Sequence, residues 1–286
     1  MIQNGNIFNL LIGYFNMNLT SPSQVKSWCI ENGFHPNKVL GQNFLIDRNA
    51  LLGIVDAGLG DIEDLSSAKV LEVGPGLGVL TEEMLLRGVS VTAVEKDPVL
   101  AARLKESLGS PEKLDVIAGD ALKYIAKGGS EIEFDAMVSN LPYQAGTRIL
   151  LDLVVARRIR SMTVLVQTEV AERLAAPEGS KTRSLSGVWA QLDYDVKILR
   201  KLPPSCFWPK PQICSSVVKL VRHDRNVALS AEERKLFHSL TKRAFEHRRK
   251  QLGSIFKDLI QSTARAEVLS NEDWITLVKG LINENA

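Results

Sequence analysis

The sequence is poor in cysteine and has no long apolar run. Cys29, Cys206 and Cys214 are its three cysteines in 286 residues, and none falls in a CxxC spacing. An odd, scattered set argues against a disulfide framework or a zinc site. It fits a reducing compartment, so a cytoplasmic protein without a bound metal is expected. No apolar stretch approaches the ~20 residues needed to cross a membrane. No Lys or Arg precedes Lys26. The apolar run at Ile7–Phe15 therefore lacks the basic flank of a secretory signal. With a second methionine at Met17, residues 1–16 are expected to be an upstream extension, and residues 1–20 a disordered one. Internal repeats and low-complexity tracts are absent, and the 45% hydrophobic and 24% charged content is that of an ordinary soluble globular chain.

Acid is scarce in one segment. Residues 197–257 hold 15 Lys/Arg and 4 Asp/Glu, a charge of +11, and the remainder holds 20 and 29, a charge of −9. The overall +2 conceals this division. A strongly basic segment of this length points to a polyanionic partner, nucleic acid above all.

The apolar pattern alternates short β-rich runs with helical ones. Strands are expected at 69–73, 89–94, 114–118, 134–138, 161–167, 193–199 and 216–220. Helices are expected between them, with 187–192 open to either an amphipathic helix or a short strand. Alternation of this kind specifies a mostly parallel sheet covered by helices on both faces. Beyond residue 224 the pattern is purely helical. Ser230 and Glu233 form a capping-box signature, and further helices are expected over 248–259 and 271–281. The domain limits that follow are 21–215 for an α/β domain and 216–286 for a small α-helical one.

The chain centres on Val70-Leu71-Glu72-Val73-Gly74-Pro75-Gly76-Leu77-Gly78, a buried strand, a glycine turn and the start of a helix. Gly74, Gly76 and Gly78 permit a sharp turn and close approach of backbone to a ligand. Three further strands end in polar residues, Glu95, Asp120 and Asn140. Ligands of open parallel sheets bind at the carboxyl ends of the strands. Glu95 lies 21 residues after Gly74, the position of an acid that bonds ribose hydroxyls. The spacing GxGxG, with Val79 next, lacks the last small residue of a dinucleotide fingerprint. It resembles the pattern with which class I methyltransferases hold S-adenosylmethionine.

Within that frame Asn140-Leu141-Pro142-Tyr143 resembles the [NDS]-[PLI]-P-[YF] motif of enzymes that methylate exocyclic amines of bases, and its chemistry suits the target that this resemblance implies. The lone pair of an exocyclic adenine amine is delocalised into the ring, so the amine is a poor nucleophile. It needs acceptors for both N–H groups that favour a pyramidal nitrogen. Asn140 offers a side-chain oxygen and Leu141 a carbonyl, which Pro142 fixes by biasing Leu141 to extended backbone. Tyr143 offers a face for an unstacked base. No strong general base is required, and catalysis reduces to positioning and electrostatics.

On these residues the chain resembles the small-subunit ribosomal RNA dimethyladenosine transferase family. Further segments carry the likeness: Gly41-Gln42-Asn43-Phe44-Leu45-Ile46-Asp47, Gln167-Thr168-Glu169-Val170-Ala171-Glu172-Arg173, Phe207-Trp208-Pro209-Lys210-Pro211 and Ala244-Phe245-Glu246-His247-Arg248-Arg249-Lys250. The resemblance implies a class I methyltransferase of α/β fold, with a Rossmann-like seven-stranded sheet and a helical C-terminal domain. Asn43 and Leu45 would contact the methionine end of S-adenosylmethionine, Gly74 its backbone side, Glu95 its ribose and Asp120 its adenine amine. Asn140 would line cofactor and target. Phe207 would stack on the target adenine opposite Tyr143, while Trp208 packs in the core. Lys242, Arg243, Arg248, Arg249 and Lys250 would hold RNA phosphates. Ile213 and Gln144-Ala145-Gly146-Thr147 depart from the family's usual residues, the latter on the target-side wall. The implied activity is N6,N6-dimethylation of two adjacent adenosines in the 3′-terminal hairpin of small-subunit rRNA. The protein would act as a monomer on the pre-30S subunit. The alternatives are a large-subunit rRNA adenine methyltransferase of antibiotic-resistance type and a non-catalytic assembly factor.

Overall fold

The computed structural model of the chain describes residues 18–37, 40–126, 133–226 and 228–283. Residues 1–17, on which most of the expected extension falls, lie outside the described residues. Leu19 does not fit the expectation of disorder to residue 20, because it is 4% exposed and packs into the main core.

Strand β2 (Lys69–Val73) is buried beyond its first residue. Its alternate side chains enter two different cores. Val70 joins the one beneath helices α1 (Pro22–Glu31), α2 (Arg48–Leu59), α3 (Val79–Leu86) and α4 (Pro98–Ser107). Leu71 and Val73 join the one beneath α5 (Ala121–Ala126), α6 (Gly146–Ala156) and α7 (Thr168–Ala175). A strand buried on both faces reads as a near-continuous apolar run, and here buried Glu72 interrupts it.

Strands β3 (Ser90–Glu95), β4 (Leu114–Ala118), β5 (Phe134–Asn140) and β6 (Ile159–Gln167) run parallel to β2. Strand β9 (Ser215–Arg222) pairs antiparallel with β6, and β7 (Tyr194–Leu202) pairs antiparallel with β9. The order across the sheet is β4-β3-β2-β5-β6-β9-β7. The chain leaves β2 toward one edge and returns beside it as β5. The switch point, where open sheets of this type bind ligands, therefore lies between Gly74 and Asn140.

Several expectations are revised. Residues 187–192 belong to a helix, α8 (Leu185–Asp193), with the Ser184 hydroxyl accepting from Gly187 N. The domain limit at 215/216 would separate β9 from the sheet it completes. The helical part instead begins with α9 (Ala231–Glu246), which carries the expected capping box. The helix expected over 248–259 shortens to α10 (Leu252–Phe256). The N–H groups of Leu252 and Gly253 donate instead to the carbonyls of Ala264 and Ser262. A two-residue ribbon, β1 (Phe44–Leu45) with β8 (Phe207–Trp208), forms outside the expected strands.

The C-terminal helices, α9, α10 and α11 (Asn271–Asn283), share a third core with Val188 and Leu192 of α8. Fully buried Arg183 ties the two parts together. Its guanidinium donates to the Ala176 carbonyl and Gln191 Oε1 on one side and to Asn271 Oδ1 on the other.

Candidate active site

The glycine turn is built by left-handed backbone. Gly74 and Gly76 have φ of +70° and +61°, which favours glycine at both. The turn is held by the carboxylate of Glu95 at the end of the neighbouring strand. Glu95 Oε2 accepts from Gly76 N at 3.0 Å and Oε1 accepts from Asp97 N at 2.8 Å. Each oxygen keeps a second lone pair, so two hydroxyls of one ribose find acceptors there. Burial pushes the Glu95 carboxyl above the usual range, and the two N–H donors oppose that shift.

Gly78 does not fit the role expected of it. Its φ is +90°, and a Cβ at this position would stand 2.6 Å from Leu104 Cδ1. This glycine is required by packing between α3 and α4, and it is not among the residues lining the cleft.

One cleft gathers Asn43, Leu45, Gly74, Gly76, Glu95, Asp120, Asn140, Leu141, Pro142 and Tyr143. The 40–45 segment closes over the switch point. The Asn43 carbonyl accepts from Asn140 Nδ2 at 3.0 Å, and Asn43 Nδ2 in turn donates to the Gly41 carbonyl at 3.0 Å. A carbonyl can only accept, so this contact fixes which end of the Asn140 amide is the NH2 and leaves Oδ1 as the spare acceptor. Leu141 N is bonded to the Leu165 carbonyl, and no described residue donates to the Leu141 carbonyl. Tyr143 is half-buried, with its hydroxyl 2.6 Å from Ser215 Oγ. Burial raises its phenol.

At the far end of the cleft, Asp120 bonds Lys96 Nζ at 2.8 Å and Leu122 N at 2.9 Å. The lysine holds this carboxyl below the usual range.

Phe207 is placed differently from its expected role. It is 0% exposed, pairs with Leu45 across the ribbon and lines no part of the cleft. Trp208 stacks on Phe44 with ring centroids 6.5 Å apart. The basic group on the C-terminal part is also divided. Arg243 lies over the Phe256 ring, and Arg248 donates to the Lys181 carbonyl at 2.7 Å. Lys242, Arg249 and Lys250 are exposed.

Four residues of the site had no role assigned from sequence. Glu72 lines the cleft, faces α3 and accepts from Thr81 Oγ1 at 2.6 Å. Its place one residue before the strand's end was the available signal. Lys96 and Ser215 act through Asp120 and Tyr143, and Gln42 Nε2 donates to Asp97 at 2.9 Å. Contacts between segments this distant leave no local pattern.

The cradle suits S-adenosylmethionine on the evidence of its donors and acceptors. It offers close backbone approach at Gly74, a two-oxygen ribose acceptor at Glu95, and a carboxylate at the adenine end. Gly74 N and Gly76 N are both bonded within the chain and so are not free for a phosphate. A seven-stranded sheet with this order and this cleft defines a class I methyltransferase.

Comparison with known proteins narrows the class. A model of the ribosomal RNA adenine dimethylase family matches residues 33–280. Ribosomal RNA small subunit methyltransferase A of Alkaliphilus oremlandii is 38% identical, over 82% of this chain and 82% of its own. The protein of the same name from Chlamydia caviae is 36% identical, over 94% of this chain and all of its own. Among solved structures, a dimethyladenosine transferase from Plasmodium falciparum superposes with a TM-score of 0.72 at 22% identity, covering 84% of this chain and 98% of its own. The 23S rRNA methyltransferase ErmE superposes at 0.61 and 23%, covering 84% and 100%. These two establish likeness of fold. The chain belongs to the ribosomal RNA adenine dimethylase family.

Proposed function

We propose that this protein transfers methyl groups from S-adenosylmethionine to N6 of two adjacent adenosines in the 3′-terminal hairpin of small-subunit rRNA. It does so as a cytoplasmic monomer acting on the maturing subunit. The observation that carries the reading is the Asn140 amide, pinned at the switch point by the Asn43 carbonyl beside a Leu141 carbonyl that accepts from no described residue.

S-adenosylmethionine, when bound, supplies an electrophilic methyl carried on a sulfonium. Gly74 and Glu95 hold its backbone side and ribose, Asp120 its adenine amine, and Asn43 and Leu45 its methionine end. Asn140 Oδ1 and the Leu141 carbonyl accept the two N6 hydrogens, which favours a pyramidal nitrogen with its lone pair directed at the methyl. Pro142 holds Leu141 extended, and Tyr143 stacks on the extruded base. The N6 proton becomes acidic once the methyl is attached, so it needs no strong base. Fixed acceptors of this kind are worth about 10²–10³-fold in rate. Phe207 has no part in this assignment because its ring is enclosed.

Identity to small-subunit relatives over most of the chain favours this substrate over the large-subunit alternative. The complete set of cleft residues favours an enzyme over a purely binding assembly factor. The test is transfer of labelled methyl to undermethylated small subunits, followed by nucleoside analysis. N6,N6-dimethyladenosine at two neighbouring positions is expected. Labelling of large-subunit RNA alone, or tight subunit binding without transfer, would overturn the reading in favour of the corresponding alternative.

A further inference from the structure

Strand β7 is one of the two edge strands of the sheet, opposite β4. Five consecutive residues on it, Lys197, Ile198, Leu199, Arg200 and Lys201, are exposed. A bulge between Ile198 and Arg200 takes Leu199 out of register. Both apolar side chains stand open, Ile198 at 40% and Leu199 at 45%. No Asp or Glu occurs between residues 196 and 223, a stretch holding six Lys/Arg. Two of the six are engaged, Lys219 with Asp61 and Arg222 with the Arg157 carbonyl. The other four, Lys197, Arg200, Lys201 and Lys210, make no ion pair or hydrogen bond with any described residue.

The row has a direction. Lys197 pairs with Lys219, level with Thr163 midway along β6, and Lys201 pairs with Ser216, next to the Ser215 that bonds Tyr143. Lys210 follows the β1–β8 ribbon that closes the cleft. Strand β7 lies three strand spacings from β5, about 15 Å at ~4.8 Å each. Lys197 borders a recess lined by Asp61, Glu63, Asp64, Asp135 and Asp195, so the cations clear of acid are Arg200, Lys201 and Lys210, on the part of this flank nearest the mouth of the site.

We infer that the exposed edge of β7, with Arg200, Lys201 and Lys210, is a phosphate-binding rail that seats the rRNA backbone beside the methyl-transfer cleft. This inference rests on the rRNA reading above and adds a second contact surface, on the sheet domain, to the one expected on the C-terminal helices. Lysines on an edge strand also serve to block edge-to-edge pairing. That role requires neither two open apolar side chains nor three cations beside the cleft. A polynucleotide meets all of these features, with phosphates for the cations and sugar or base faces for Ile198 and Leu199. A docked protein strand would have to pass along the same row of cations.

The test compares a triple variant, Arg200→Gln, Lys201→Gln and Lys210→Gln, with a charge-matched control, Lys26→Gln, Lys69→Gln and Lys105→Gln. Binding is measured on undermethylated small subunits and on their protein-free rRNA as salt is varied. Each lost phosphate contact reduces the slope of log K against log salt by about 0.7–0.9. The edge variant should lose about two units of slope and on the order of tenfold in affinity on both RNA forms, with S-adenosylmethionine binding unchanged. A slope and affinity equal to the control's would overturn the rail. So would loss confined to whole subunits and reproduced by Ile198→Ser with Leu199→Ser, which would assign the edge to a ribosomal protein. The rRNA-methylation reading fails separately, by absence of methyl transfer from the unaltered protein.

Discussion

The side-chain amide of Asn140 donates to the main-chain carbonyl of Asn43 at 3.0 Å, across 97 residues of sequence. This one bond joins the segment that closes the cleft to the residue at the switch point. Asn140→Asp tests it with almost no change of shape. The carboxylate keeps an acceptor for the target amine but has no hydrogen to give the Asn43 carbonyl, and two oxygens then oppose each other. Methyl transfer should fall about 10²-fold or more, and Asn140→Ala should abolish it, while both variants bind small subunits as before. Transfer by Asn140→Asp at the original rate would show that the amide's orientation is not set by this bond.

Glu72 gives the protein a pH-dependent stability. Burial, reinforced by the nearby charge of Glu95, pushes its carboxyl up to about 8, and the bond from Thr81 opposes this. In the unfolded chain the group titrates near 4.5. Between those values the folded protein holds a proton that the unfolded chain has released. Stability is therefore fully present below about 4.5 and declines as pH rises to about 8, by up to ~1.4 kcal/mol per pH unit. Glu72→Gln removes the titration and can still accept from Thr81. Urea midpoints at pH 5 and pH 8.5 should differ less in the variant than in the unaltered protein. A residual slope of the same sign remains from Glu95, which is also raised. Equal pH dependence in the two proteins would remove Glu72 as its source.

Gly74 and Gly78 have the same sequence signature and separate physical duties. Gly78→Ala places a methyl 2.6 Å from Leu104 in a left-handed backbone. Overpacking and strain of that kind cost about 1–3 kcal/mol each. Gly74→Ala has more room, its nearest neighbour being Pro142 Cδ at 3.5 Å, but its methyl narrows the cofactor side of the cleft. Thermal unfolding should show the greater loss for Gly78→Ala, and S-adenosylmethionine titration the greater loss for Gly74→Ala. The reverse order would exchange the two roles.

What could be read from the sequence was local. The glycine turn, the strand-end acids and the Asn140–Tyr143 tetrad are short stretches whose backbone preferences and spacing carry their own signal. Phe207 was misjudged because its surroundings come from pairing with Leu45, 162 positions away, and a two-residue ribbon has no periodicity. The same holds for Arg248, whose partner is the carbonyl of Lys181. Composition marked residues 197–257 as basic. It could not distinguish cations engaged by the fold from those left to a partner, because that depends on which strand lies at the edge of the sheet.

The bond between Tyr143 and Ser215 shows how a buried residue can govern a ring in the cleft. Ser215 is 0% exposed at the start of β9, and its hydroxyl lies 2.6 Å from that of Tyr143. It is not among the residues lining the cleft, and its side chain reaches the cleft through the tyrosine it bonds. Tyr143→Phe keeps the stacking face and loses the tether, and Ser215→Ala loses the same tether from the other end. Each should raise KM for the RNA substrate severalfold, because the ring is no longer held for the incoming base, with a smaller change in kcat. A net hydrogen bond of this kind is worth about 1 kcal/mol. The double variant should then be no worse than either single one, since both remove one interaction. Additive losses would mean that Ser215 acts on the sheet and not through Tyr143, and unchanged KM in both single variants would mean that the ring needs no tether.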